Sequence, residues 1–201
     1  MMRCYLVLAV LLVNVLIGGE FWTNKKAGDW TAEERERVLS HSPWAKPAAA
    51  GLDVTRGTGG FGPGAYGGQV GGGAPERLPE LRAVIRWESA VPIREGEKKP
   101  LPEEAKGFLV LSVTMTGMLT VTEGDEELLR GTSLKAKGKA PVNPARLLRD
   151  EKSRTILYLF ADRASVSPDD KEWAFETSFG TLVLKAKFVA KEMQYLGKPA
   201  L

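Results

Sequence analysis

The chain has 201 residues, of which 43% are apolar and 26% are charged, and this is enough apolar material for one sizeable core. Its formal net charge of +3 is small for this length and gives no basis for nucleic-acid binding, which needs clustered basic residues. The single histidine, His41, excludes a multi-histidine metal site and makes a histidine-based catalytic pair hard to build.

The first nineteen residues have the pattern of a secretory signal peptide. Arg3 supplies a short positive region, residues 5–17 are apolar apart from Asn14, and Gly18-Gly19 offers small residues for cleavage. The apolar run is shorter than the roughly 20 residues of a spanning helix, and a retained anchor is the alternative. We therefore expect an exported protein, periplasmic or extracellular, with no membrane-spanning segment after cleavage. The only cysteine, Cys4, would leave with the signal, so the mature chain would have no thiol chemistry.

Residues 20–50 are predicted to form an arm that is rich in tryptophan. Thr31 and Glu34 fit a capping box, and the helix that they begin should run from about Ala32 to Ser40. Three of the five tryptophans of the chain lie in this arm, at Trp22, Trp30 and Trp44. They either pack onto the C-terminal domain or anchor a partner, because tryptophan serves both purposes.

A glycine-rich stretch follows the arm and predicts a flexible linker over residues 51–78. Eleven of the 22 glycines lie between residues 51 and 73, so the stretch has too few apolar side chains to offset the entropy of ordering it. It contains the spacing G-x-G-x-x-G at residues 57–62. The sequence after it cannot begin a helix, so a dinucleotide site is not indicated, and no cofactor is expected.

Residues 79–201 are predicted to form a β-rich domain. Alternating or continuous apolar residues indicate strands over 81–87, 108–116, 134–139, 154–161, 171–179 and 181–191. Gly180 is placed to close an antiparallel hairpin between the last two. Asn143-Pro144 is typical of a helix start, and a short helix is expected from Ala145 to Asp150. The fold class is therefore α+β or mainly β, a mostly antiparallel sheet or sandwich of about six strands with one or two short helices.

Several segments resemble an uncharacterised family of exported bacterial proteins. They are W-T-x-x-E from Trp30, Ser42-Pro43-Trp44-Ala45, Arg86-Trp87-Glu88-Ser89-Ala90, and the C-terminal run around Met193 and Tyr195. The resemblance covers most of the mature chain, with the glycine-rich stretch as its variable part. It implies export and the layout of arm, linker and domain, and it transfers no activity and no functional residue.

Carboxylates are the remaining source of catalysis or calcium binding. They form two groups, one of Glu123, Asp125, Glu126 and Glu127 and one of Asp162, Asp169, Asp170 and Glu172. A pair at the right separation would hydrolyse a glycosidic bond, whereas both groups also fall where strands should turn and where solvated acids are ordinary. Neither group has the spacing of an EF-hand calcium loop.

Lysines alternate along two predicted strands, at Lys135 and Lys137 and again at Lys185 and Lys187. If these strands are neighbours, the four side chains form a basic sheet face that could meet acidic envelope polymers or lipid head groups. The alternative is ordinary solvation of an exposed face.

These observations favour a non-catalytic exported envelope protein that binds or scaffolds another component, either a protein or a polymer. The alternatives are a carboxylate-dependent polysaccharide hydrolase and a carrier of a small apolar ligand, which would need an enclosed cavity. The sequence leaves the oligomeric state open.

Overall fold

Two antiparallel sheets facing each other form the body of the protein in the computed structural model, which describes residues 20–52, 81–116, 121–161, 166–167 and 169–201. The first sheet has the order β1-β3-β4-β7-β6, and the second has the order β2-β9-β8-β5. The strands of the first sheet are β1 (Ala45–Ala49), β3 (Arg82–Arg86), β4 (Leu109–Thr116), β6 (Arg146–Asp150) and β7 (Thr155–Phe160). Those of the second are β2 (Gly51–Leu52), β5 (Ser133–Ala136), β8 (Glu172–Phe179) and β9 (Leu182–Val189).

Three short α-helices and a small hairpin complete the part of the fold that the structure describes. The helices are α1 (Ala32–Ser40), α2 (Val91–Glu97) and α3 (Asp125–Arg130), and the hairpin pairs β10 (Gln194–Tyr195) with β11 (Lys198–Pro199). The predicted fold class, a mostly antiparallel α+β or mainly β fold, is confirmed. The predicted signal peptide and residues 53–78 of the predicted linker lie outside the described residues.

Aromatic side chains fill the space between the two sheets. Trp87, which follows β3, contacts Trp173 of β8 and Phe188 of β9, with ring centroids 5.2 Å apart in both pairs. Tyr158 of β7 lies 5.8 Å from Phe175 of β8. All five side chains are buried, so the core joins the two sheets directly.

The N-terminal arm is part of this fold and not an appendage. Its residues Ala45–Ala49 form β1, which pairs with β3, and the chain then crosses at Ala50 into β2 of the second sheet. Pro47 is accommodated because β1 is an edge strand, where one row of backbone amides needs no partner. The first residues of the predicted linker, Gly51–Leu52, are therefore a strand.

The C-terminal tail holds the arm in place from the other side. The indole Nε1 of Trp44 donates to the carbonyl of Ala200 at 2.6 Å, and the Leu196 amide donates to the Trp22 carbonyl at 3.1 Å. The Tyr195 hydroxyl accepts from the amide of Ala27 at 2.8 Å. Both ends of the described chain thus meet in one buried cluster.

Some of the predicted helices and strands are confirmed by the structure, and one predicted helix is wrong. The capping box of Thr31 and Glu34 and the helix Ala32–Ser40 are confirmed, as is the hairpin at Gly180, whose φ is +56°. The helix expected from Ala145 to Asp150 is wrong, because Arg146–Asp150 pairs with β7 as a strand. Asn143 does not cap a helix there; its side-chain amide donates to the Thr132 carbonyl.

A lysine-bearing sheet face as the candidate functional site

The outer face of the second sheet carries alternating charges, because side chains on a strand point to opposite faces in turn. On β8 the outward positions are Glu172, Ala174 and Glu176, whereas Trp173, Phe175 and Thr177 point into the core. Outward side chains on the flanking strands are Lys135 of β5 and Lys185 and Lys187 of β9, and Lys137 follows directly after β5. We call this surface the lysine face.

A basic sheet face was expected if the two lysine-bearing strands were neighbours. They are not neighbours, so the expectation of a purely basic face is wrong. β8 lies between β5 and β9, so its two glutamates sit among the four lysines. Lys185 lies 3.0 Å from Glu176, while Lys187 and Lys137 lie 3.5 Å and 4.0 Å from Glu172. The face therefore has mixed charge, with a surplus of two positive charges.

The ammonium groups on this face remain open to solvent despite these ion pairs. The side chains of Lys137, Lys185 and Lys187 are 66%, 70% and 63% exposed, whereas Glu172 and Glu176 are 29% and 35% exposed. Ion pairs as exposed as these contribute little to folding stability, typically below about 1 kcal/mol. Their lysines are therefore available to exchange an internal carboxylate for an external anion.

A groove of about 550 Å³ continues the lysine face where β8 begins and β9 ends. Lys137 and Glu172 belong to both surfaces, and Lys171 and Lys191 add two further cations to the groove. The carboxylate of Asp170 lies 2.8 Å from Lys139. Burial opposes its ionisation, but hydrogen bonds from Lys139 and the Ser167 amide outweigh this and hold the pKa of Asp170 below its usual range.

The three tryptophans that were candidate partner anchors lie in the core. Trp22, Trp30 and Trp44 are 2%, 5% and 0% exposed, and the rings of Trp22 and Trp44 pack edge to face at 5.9 Å. Trp30 packs against Tyr195 at 5.9 Å. Packing accounts for the burial of all three rings, and Trp22 also lines a groove with His41 and Pro43.

The two carboxylate groups lie at opposite ends of β8. Glu123 precedes α3 and Asp125–Glu127 form its first turn, and Gly131 directly after α3 accepts from the Ser178 amide, whereas Glu172 starts the strand. Ser178 and Glu172 are six positions apart along the strand, a distance of about 20 Å. That exceeds the carboxylate spacing of about 5 to 9.5 Å in glycosidases. Asp162 lies outside the described residues.

A buried ion network in the described part of the chain is a charged site that the sequence reasoning missed. Glu88 is only 3% exposed, and its carboxylate accepts from Arg86 at 2.9 Å and from the Ser112 hydroxyl at 2.5 Å. Arg86 also contacts Glu97 of α2 at 2.6 Å. Burial and the charge of Glu88 raise the pKa of Glu97, and Arg86 opposes this shift. The spacing Arg86-x-Glu88 at the end of β3 was the available signal, but Glu97 lies on a separate helix.

This buried network supports the fold, because Arg86 of β3 contacts Glu97 of α2 at 2.6 Å. It ties α2 to the first sheet. An apolar cavity between the sheets, lined by Leu109, Phe160 and Trp173 among others, has a volume of about 40 Å³. This is far below the roughly 300 Å³ of small-ligand sites, so this cavity is too small to hold the ligand of a carrier.

Other classes of site were also sought. Within the described ranges, no three or more histidine, cysteine or acidic side chains are grouped so that they could hold a metal ion. His41 lies exposed at the end of α1, with its Nδ1 2.9 Å from the Ser40 hydroxyl. No helix in the part of the chain that the structure describes is long and apolar enough to span a membrane.

Comparison with known proteins gives no further guide to the site. No protein-family model, curated protein or solved structure matches this chain. The functional argument therefore rests on the residues themselves.

Proposed function

We propose that this protein is a non-catalytic, exported binding module of the bacterial envelope, and that its lysine face binds an anionic envelope polymer. The observation that supports this most directly is the position of the four lysines of the face. They come from two separate stretches of sequence, yet all four lie on one exposed surface with a surplus of two positive charges. A surplus of this kind attracts anions and accelerates their association.

A polymer fits this face better than a membrane surface. The only large apolar side chain that is exposed among the described residues is Leu196, in the turn between β10 and β11. Proteins that lie in a membrane interface bury an apolar face as well as charges, and the lysine face has no such component. Lysines two positions apart on one strand are about 7 Å apart, which presents a repeated pattern of charge to a chain with repeated anionic groups.

Binding to immobilised poly(glycerol phosphate) and polygalacturonate tests this proposal, with residues 20–201 as the protein. The variant Lys185→Glu/Lys187→Glu reverses two charges on the face, and we expect it to weaken binding at least roughly tenfold. Lys106→Glu/Lys152→Glu is the matched control, because it makes the same change in net charge at exposed positions outside the second sheet. We expect this control to bind within about threefold of the unchanged protein.

Vesicles rich in phosphatidylglycerol separate the polymer from a membrane. Binding to the vesicles alone would contradict the choice of a polymer. An equal loss of polymer affinity in both double variants would mean that only net charge matters. The lysine face would then not be the binding site. A protein that binds neither polymer at low salt would refute the proposed function.

A further inference from the structure

The centre of the lysine face is a small residue flanked by two lysines. In the strand register, Ala174 of β8 is opposite Lys135 of β5 on one side and opposite Lys187 of β9 on the other. Neighbouring strands are about 4.8 Å apart, so the Cα atoms of these two lysines are roughly 10 Å apart with only a methyl group between them. Four-carbon side chains on both sides can bring both ammonium groups over Ala174.

The carboxylates of the face do not occupy this position. Glu172 and Glu176 lie two residues to either side of Ala174 on the same face, each about 7 Å away along the strand. Glu176 is engaged by Lys185, and Glu172 is shared by Lys137 and Lys187. Lys135 is exposed beside Ala174, and it takes part in none of the ion pairs that the described residues of this face form.

We propose that one anionic group of the bound polymer, a phosphate or a carboxylate, binds over Ala174 between the ammonium groups of Lys135 and Lys187. This inference rests on the proposed function and specifies its central contact. At Ala174 two lysines flank a position that holds no carboxylate of the protein itself. An anion of the polymer that binds there forms an ion pair with Lys135. It also forms one with Lys187 in place of Glu172, which keeps its contact with Lys137.

The position of Ala174 allows a test in which two variants differ by charge alone. Ala174→Glu adds a carboxylate between the two lysines, and it acts as an internal competitor for the bound anion. Ala174→Gln adds a side chain of the same shape without the charge. The site is exposed on a strand, so both variants should fold, and urea unfolding of each checks this.

Binding of poly(glycerol phosphate) and of polygalacturonate to both variants gives the result. We expect Ala174→Glu to bind roughly tenfold more weakly than Ala174→Gln, and Ala174→Gln to stay within about threefold of the unchanged protein. Comparison of the two polymers shows whether the group is a phosphate or a carboxylate. Lys135→Gln should also lower the salt dependence of binding, because one fewer cation takes part.

The possible failures can be told apart. If the unchanged protein binds a polymer, Lys185→Glu/Lys187→Glu weakens it, and the two Ala174 variants bind equally, then the central site is refuted while the proposed function stands. If the unchanged protein binds neither polymer, the proposed function itself fails, and the central site fails with it.

Discussion

Substitution of Trp44 by alanine tests whether the N-terminal arm belongs to the core. Trp44 is completely buried, packs edge to face against Trp22, and donates from its indole Nε1 to the Ala200 carbonyl. The change therefore removes packing in the buried core and also breaks a hydrogen bond to the C-terminal tail.

The expected loss of stability follows from these two contributions. Replacement of a buried tryptophan or phenylalanine by alanine costs about 3 to 5 kcal/mol. The carbonyl of Ala200, a residue that is 7% exposed, loses its donor, and an unsatisfied buried group costs about 1 to 3 kcal/mol, part of which is already in the first figure. We expect a total of about 4 to 6 kcal/mol, a large share of the typical 5 to 15 kcal/mol of a folded domain.

Urea unfolding followed by circular dichroism measures this loss. Glu36→Ala in α1 is the control, because Glu36 is exposed and the change should alter the free energy of unfolding by less than about 0.5 kcal/mol. A loss below about 1 kcal/mol for Trp44→Ala, with an unchanged slope against urea, would refute the assignment of the arm to the core.

Three further predictions concern stability. Tyr195→Phe removes a hydroxyl that accepts from the Ala27 amide and donates to Glu95 at 2.7 Å, and we expect a loss of about 1 to 3 kcal/mol in urea unfolding. Thr31→Ala removes the side-chain cap of α1 and should lower the free energy of unfolding by about 1 kcal/mol in the same assay. Thr31→Ser keeps a capping hydroxyl and should therefore keep most of this stability. Because the pKa of Glu97 is raised in the folded protein, its contribution to stability is full below the unfolded pKa and is lost as pH rises through the folded value. Unfolding measured from pH 4 to pH 8 should therefore show a downward trend in the unchanged protein relative to Glu97→Gln.

Each of these has its own contrary result. Wild-type stability in Tyr195→Phe would mean that the C-terminal hairpin does not hold the arm. Equal losses for alanine and serine at position 31 would remove the cap as the cause. Parallel pH curves for the unchanged protein and Glu97→Gln would mean that the carboxyl of Glu97 titrates normally in the fold.

Local patterns predicted those elements whose own sequence decides their structure. The capping box at Thr31 predicted α1, and the alternation around Phe188 predicted β9 together with the hairpin at Gly180. The strand β6 could not be predicted in this way. Asn143-Pro144 is a good helix start, but pairing of Arg146–Asp150 with the hydrophobic strand β7 overrides that preference.

The arm shows why long-range packing could not be predicted from local sequence. Ala45–Ala49 contains a proline and three alanines and lacks the branched residues typical of strands, so nothing local indicated β1. Its partner β3 lies more than thirty residues further along the chain. The tryptophans were recognised as important, but only the fold shows that the C-terminal residues Tyr195 and Ala200 cover them.

The lysine face was predictable in part. Alternation placed Lys135 with Lys137, and Lys185 with Lys187, on exposed faces, and the structure brings both pairs onto one surface. The order of the strands decides which residues lie between the two lysine pairs, and no sequence pattern predicted that order. The insertion of β8, with two glutamates around Ala174, turns a uniform basic surface into one with a defined central position.

Amide NMR spectra recorded during addition of poly(glycerol phosphate) test the central claim most directly. Binding at the lysine face predicts that the largest shift changes fall on β5, β8 and β9, with Ala174 among them, and that α1 and α2 change little. The largest changes on α1, α2 or the first sheet, with those three strands unaffected, would contradict the account.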